Sequence, residues 1–153
     1  MIIKACWLMH EPLGSYLIPL RVTNPDTKVS KTVWCIFDSG FTGYVSLDAG
    51  TIKDLHLKPA GKGRAHTITG SVDFETHSGM VEIIDEKQES ITMLKRDERE
   101  VLQENTDGTG AEVIDPAVIP IQQFRHPLFG MRAIQQFSWL IVAEKKMLCL
   151  VDV

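Results

Sequence analysis

Short runs of β-favouring apolar residues, each closed by Pro, Gly, Asn or Asp, govern what this chain can fold into. "IIKACWLM", "SYLIPLRVT", "KTVWCIF" and "YVSL" succeed one another from Ile2 to Leu47, separated by the polar turns "HEPLG" and "NPDTKVS" and by the loop "DSGFTG". β-Branched and aromatic side chains suit a pleated, half-buried surface, and runs this short between turn residues predict strands. The opening third therefore reads as a meander.

The pattern resumes downstream. "GRAHTITGSVDFETHSGMVEII" predicts a hairpin with its turn at Gly70-Ser71, "AEVIDPAVIPI" a further strand, and "SWLIVAEKKMLCLVDV" two strands joined by the polar turn Ala143 to Lys146. One short helix fits "DAGTIKDLHL", where Asp48 can cap a turn carrying Ile52 and Leu55 at helical spacing, and another fits "MRAIQQF". "PAGKGR" at Pro59 to Arg64 lacks the residue order of a phosphate-binding loop and reads as a solvated loop. From Asp85 to Gly110 the character shifts to interleaved acidic and basic side chains, which predicts a partly helical surface excursion ending in a Gly-rich loop. At 153 residues, 44% of them apolar, the expectation is a single mostly β domain, 1–153, with a charged insertion at about 85–110.

Charge and cysteine usage narrow the function classes. A formal net charge of −4 argues against a dedicated nucleic-acid binder, which needs a basic face to displace counterions from phosphate. No run approaches the roughly 18 apolar residues of a membrane-spanning helix, and the first apolar run is too short for a signal-peptide core, so a cytoplasmic protein without membrane contact is expected. Cys6, Cys35 and Cys149 are odd in number, far apart and set in apolar runs, which argues for core thiols and against a disulfide framework. His10, His56, His66, His77 and His126 show no metal-ligand spacing, so no metal or cofactor is expected.

The residues that carry chemistry are in "VWCIFDSGFTGYVSL", Val33 to Leu47. An apolar strand runs into Asp38, and Ser39 and Gly40 follow at once. A carboxylate at the end of a buried strand is costly unless something pairs with it, and no cation stands beside it in the chain. Much later, Leu128-Phe129-Gly130 leads into the second helix. "DSGFTGYV" with the later "LFG" resembles the retropepsin-like aspartic proteases, specifically the small single-domain forms of bacteria and archaea. The likeness runs from about Ser15 to Val153, the charged insertion excepted.

That resemblance implies a retropepsin-like closed β-barrel, the acid protease fold, with one or two short helices. It also implies a hydrolase acting in proteolysis as a homodimer. Two carboxylates held about 3 Å apart cannot both ionise, so one serves as general base on a water while the other, protonated, donates to the scissile carbonyl. The chain has one such triplet; the nearest lookalike, "TDGTG" at Thr106 to Gly110, sits in a polar loop. The partner of Asp38 is therefore expected to be Asp38 of a second copy, brought in by a twofold axis. By the same resemblance Ser39 reaches across the axis, Gly40 permits close backbone approach, and the terminal strands interleave between subunits. Phe41, Thr42 and Gly43 form the floor for a peptide or protein substrate, and Thr69, Gly70 and Ser71 form the tip of a flap.

Three features depart from the family pattern. Ser39 stands for the commoner threonine, 92 residues separate Asp38 from Gly130, and Arg132 occupies a position where many relatives carry an acidic residue. These departures leave an alternative of another class: a catalytically inactive dimeric peptide-binding or assembly module of the same fold.

Overall fold

The structure is a computed structural model that describes residues 1–67, 69–97 and 115–153, and the side chains of these apart from 65–67. Among the described residues the chain is mostly β, with two short helices. β1 (Ile2–Leu8), β2 (Leu17–Thr23), β3 (Ser30–Phe37) and β4 (Val45–Leu47) lead to helix α1 (Ala49–Asp54). β5 (Pro59–Thr67), β6 (Gly70–Ile84), β7 (Ser90–Met93), β8 (Ile119–Gln123) and β9 (Leu128–Phe129) precede helix α2 (Met131–Ile134), and β10 (Ser138–Val142) and β11 (Met147–Asp152) close the chain. No helix among the described residues is long and apolar enough to cross a membrane.

The strands form two sheets. The larger runs β2-β3-β9-β4-β8-β6-β5, with β7 added to β6, and a further pairing of β2 with β6 returns the hydrogen-bonded path to its start. The smaller is the antiparallel set β1-β11-β10, in which the first and last strands of the chain lie side by side. One core joins them: Ile18, Leu20 and Val22 of β2, Val81 and Ile83 of β6, and Ile119 and Ile121 of β8 are buried with Leu148 and Leu150 of β11. Their alternation along each strand is the period-two pattern of a sheet packed on one face.

Local chemistry explains the punctuation. Asp48 caps α1: its carboxylate accepts from the Thr51 N–H at 2.7 Å, and that bond holds the carboxyl below its ordinary range. The turn "NPDTKVS" is built on Asn24, which is buried yet satisfied, since its amide donates to the Leu55 and His56 carbonyls and its oxygen accepts from Asp26 and Thr27 N–H groups. At the far end, Lys146 takes the left-handed conformation (φ 48°) that reverses β10 into β11, where a turn was expected.

Several expectations need correction. "PAGKGR" is not a loop but the start of β5, whose register slips between Pro59 and Gly61 where Gly61 adopts φ 133°, open to glycine. Gly70 and Ser71 are not the hairpin turn; they begin β6, with Gly70 opposite Thr67. The expected surface excursion begins too early at Asp85. Ser90–Met93 pairs with β6, and Leu94 is fully buried, donating its N–H to the Val81 carbonyl at 2.9 Å. The β-favouring "SITM" and one apolar residue outweigh the charges around them. From residue 98 onward the insertion, including "TDGTG", lies outside the described residues.

The cysteines divide. Cys35 is a buried core thiol, and burial pushes its titration well above the usual range, which makes it a poor nucleophile. Cys6 and Cys149, by contrast, are directly opposed in β1 and β11 and form a disulfide. They stand 143 residues apart, so only the pairing of the two terminal strands brings them together. Replacing both by serine is expected to destabilise the fold by about 2 to 4 kcal/mol, because the crosslink closes nearly the whole chain. Thermal melting with and without a thiol reductant checks this; an unchanged melting temperature would show that the backbone pairing of β1 suffices.

Candidate active site

The loop that follows β3 is held from below. β9 lies between β3 and β4, parallel to the first (Ile36 opposite Leu128, Phe37 opposite Phe129) and antiparallel to the second (Val45 opposite Phe129). The two strands flanking "DSGFTG" are thus bridged by "LF" rather than by each other. Gly130 then donates to the Tyr44 carbonyl at 2.8 Å, Met131 to that of Phe41 at 2.7 Å and Arg132 to that of Gly43 at 3.2 Å. Three consecutive backbone N–H groups at the start of α2 hold three carbonyls of the loop.

Gly130 is required there by space rather than by backbone angle. A Cβ at this position would stand 2.3 Å from the Gly43 carbonyl oxygen, 2.9 Å from that of Phe41 and 2.6 Å from the Phe41 ring. Beneath, Phe37, Phe129 and Trp139 cluster with ring centroids 5.1 to 6.2 Å apart, the two phenyl rings stacked and Trp139 edge-on to both, and the Trp139 indole N–H donates to the Ile134 carbonyl at 2.8 Å. The loop rests on a rigid aromatic base.

Asp38 emerges at the top of this base, partly exposed. Its N–H donates to the Phe129 carbonyl at 2.9 Å, and its Oδ1 accepts from the Gly40 N–H at 2.9 Å. Asp38, Gly40, Phe41, Thr42 and Gly43 together line one side of a cleft of about 780 Å³. Ser39 does not line it; it is exposed beside it. The opposite wall comes from the stem of the β5–β6 hairpin, through Gly63, Arg64, Phe74 and Thr76, and the end is closed by Gln122, Phe124, Leu128 and Arg132.

The predicted residues are therefore brought together only in part. The Asp38 to Gly43 loop supplies the cleft as expected, but Thr69, Gly70 and Ser71 at the hairpin tip do not line it. The stem does so instead, because Phe74 lies across Gly63 on the paired strand, where a Cβ would come within 2.3 Å of the ring. A glycine facing an aromatic residue eight or more positions away in a hairpin was the available signal. Arg132, noted in the sequence as a departure, lies with its guanidinium 5.6 Å from the centre of the buried Tyr44 ring and borders the cleft. The Tyr44 hydroxyl accepts from the Asp97 N–H at 2.8 Å, and Lys95 exchanges two hydrogen bonds with the Gln136 side chain, so residues 95–97 of the charged insertion lie beside this floor.

Asp38 is the one carboxylate among the described residues lining the cleft. Among the described residues no three His, Cys, Asp or Glu side chains gather into a metal-binding group. A single carboxylate can take a proton from water as general base, but while it does so it cannot also donate a proton to the scissile carbonyl oxygen. Compared with known proteins, the chain matches no family model, no curated protein and no solved structure.

Proposed function

We propose that the chain is a homodimeric aspartic endopeptidase of retropepsin-like fold, hydrolysing peptide bonds with a water activated between two Asp38 carboxylates, one from each copy. The observation that carries this reading is the strand β9 set between β3 and β4, whose Gly130 fastens the Asp38 loop so that a lone carboxylate stands at the floor of an open cleft. Such fastening holds a reacting group in place on rigid elements, which is what a positioned general base needs.

In this mechanism the carboxylate pair holds one proton. The ionised member takes a proton from the trapped water as its oxygen bonds to the scissile carbonyl carbon, and the protonated member donates to the carbonyl oxygen. Collapse of the resulting tetrahedral diol breaks the C–N bond: the leaving nitrogen receives the proton taken from water, and one diol hydroxyl returns its proton to the carboxylate that had donated it as the carbonyl re-forms. No covalent enzyme intermediate forms. An extended peptide fits the site because β5 is the edge of its sheet and can accept an added strand, while Phe41, Phe74 and Leu128 offer apolar contacts for alternate side chains.

The twin is supported by the terminal sheet. β1 is one of the two edge strands of β1-β11-β10, and Ile2, Ile3 and Leu8 on it are 68%, 55% and 72% exposed. An apolar edge with unpaired backbone groups is a template for another chain. The terminal strands pair with each other within one chain, so a second copy would extend this sheet from its β1 edge.

The test joins mass to activity. Sedimentation and cleavage of a varied peptide pool from acid to neutral pH are expected to show a dimer that cuts peptides. A monomer that cuts, or a dimer that binds peptides without cutting at any pH, would overturn the proposal, the latter in favour of a peptide-binding module.

A further inference from the structure

The rim of the cleft carries charge that the hydrolytic mechanism does not use. Phe124 follows β8, is fixed by its N–H donating to the Leu47 carbonyl at 3.0 Å, lines the cleft and is 40% exposed. The Arg125 guanidinium lies 5.9 Å from the centre of that ring, and the His126 ring meets it edge-on at 5.8 Å. Among the described residues no carboxylate lies within ion-pairing distance of Arg125. The arginines that line the cleft itself are differently placed: Arg64 is paired with Asp73 across the hairpin at 3.0 Å, and Arg132 packs over Tyr44.

The chain as a whole is acidic, with a formal net charge of −4, yet Arg64 and Arg132 line a cleft whose only described carboxylate is Asp38, and Arg125 lies against the lining residue Phe124. Charge separated in this way favours a ligand of the opposite sign at the rim. An arginine stacked on an aromatic face keeps its planar fork preorganised, so that little freedom is lost when a carboxylate docks.

From this arrangement we infer that Phe124 and Arg125 form a subsite for an acidic side chain, so that the preferred ligand is an extended peptide with a Glu or Asp near a large apolar residue. The apolar residue sits on Phe41, Phe74 and Leu128, and the carboxylate meets the guanidinium at the rim. This inference rests on the reading of the cleft as a peptide site.

The test uses the full chain carrying Asp38→Asn, so that binding is measured without turnover. Fluorescein-labelled peptides that differ only in Glu, Gln or Lys, placed at each position in turn, are titrated by anisotropy. At one position Glu is expected to bind about three- to fivefold more tightly than Gln, the scale of an exposed ion pair. The advantage shrinks as salt rises from about 50 to about 300 mM, because screening shortens the reach of exposed charges. Adding Arg125→Gln removes the preference and Arg125→Glu turns it toward Lys, a reversal that loss of packing alone cannot produce. Lys87→Glu, which changes net charge equally at an exposed turn away from the cleft, leaves the preference in place. Equal binding of Glu, Gln and Lys peptides at every position, or a preference untouched by Arg125→Glu, would overturn the acidic subsite while leaving the peptide cleft standing. If no peptide of any charge binds the folded protein, the cleft is not a peptide site and both readings fall.

Discussion

Peptide cleavage is expected to fall about a hundred- to ten-thousandfold when Asp38 is replaced by Asn, the scale set by losing a general acid–base group. The substitution is close to isosteric, and the contact that Asp38 makes through its side chain, the Gly40 N–H donating to Oδ1, can be accepted equally by an asparagine oxygen. Melting temperature and far-ultraviolet circular dichroism should therefore stay at wild-type values while the rate collapses. The dimeric mechanism adds a sharper consequence. When wild-type and Asp38→Asn chains are mixed in equal amounts and allowed to exchange, only pairs of two wild-type chains carry both carboxylates. The rate should then be about a quarter of that of the same total of wild-type chains, since random pairing makes one pair in four fully wild type. Chains acting alone would give about half.

The second large effect is expected at Gly130. An added methyl meets two backbone oxygens and a ring at 2.3 to 2.9 Å, and none of these is the yielding end of a flexible side chain. Either α2 withdraws from the loop or the loop moves, and both break hydrogen bonds from Gly130 and its neighbours to Tyr44, Phe41 and Gly43. Overpacking of this kind costs about 3 kcal/mol, which for a chain of this size lowers the melting temperature by on the order of 10 °C. Because the loop that moves carries Asp38, Gly130→Ala should lose cleavage about a hundredfold or more even at temperatures where it is folded, as expected when a positioned group shifts by about 1 Å. Melting curves and cleavage rates measured on the same sample separate the two losses. A folded, fully active Gly130→Ala protein would show that the fastening of the loop has no part in the chemistry.

What was legible in the sequence follows from what is local. α1 could be read because Asp48 stands just ahead of Ile52 and Leu55 at helical spacing, and cap and helix report on each other. The Asp38 loop could be read because its cleft-lining residues from Asp38 to Gly43 are nearly contiguous, so the spacing of a few residues already carries the site. The opposite wall could not. Phe74 faces the cleft only because β5 and β6 pair with Gly63 opposite it, and that register depends on a turn placed ahead of Gly70 rather than at it. The same reason hid the disulfide. Cys6 and Cys149 have no local relation, and their bond exists because the first strand of the chain lies on the last. β7 was missed for another cause: a short strand with two β-favouring residues, Ile91 and Thr92, was outvoted by its charged neighbours, while Leu94 beside it goes fully into the core. Charge density reports on a surface, not on whether a strand lies beneath it.

The account depends on two copies of the chain presenting their acids to one another. The distance between the two Asp38 carboxylates in a crystal structure of the assembled protein measures this directly. Oxygens about 3 Å apart across a twofold axis, at the junction of two clefts, are predicted, since only at such range can two carboxyl groups share a proton. Carboxylates that lie far apart in every contact between copies, each facing solvent, would contradict it.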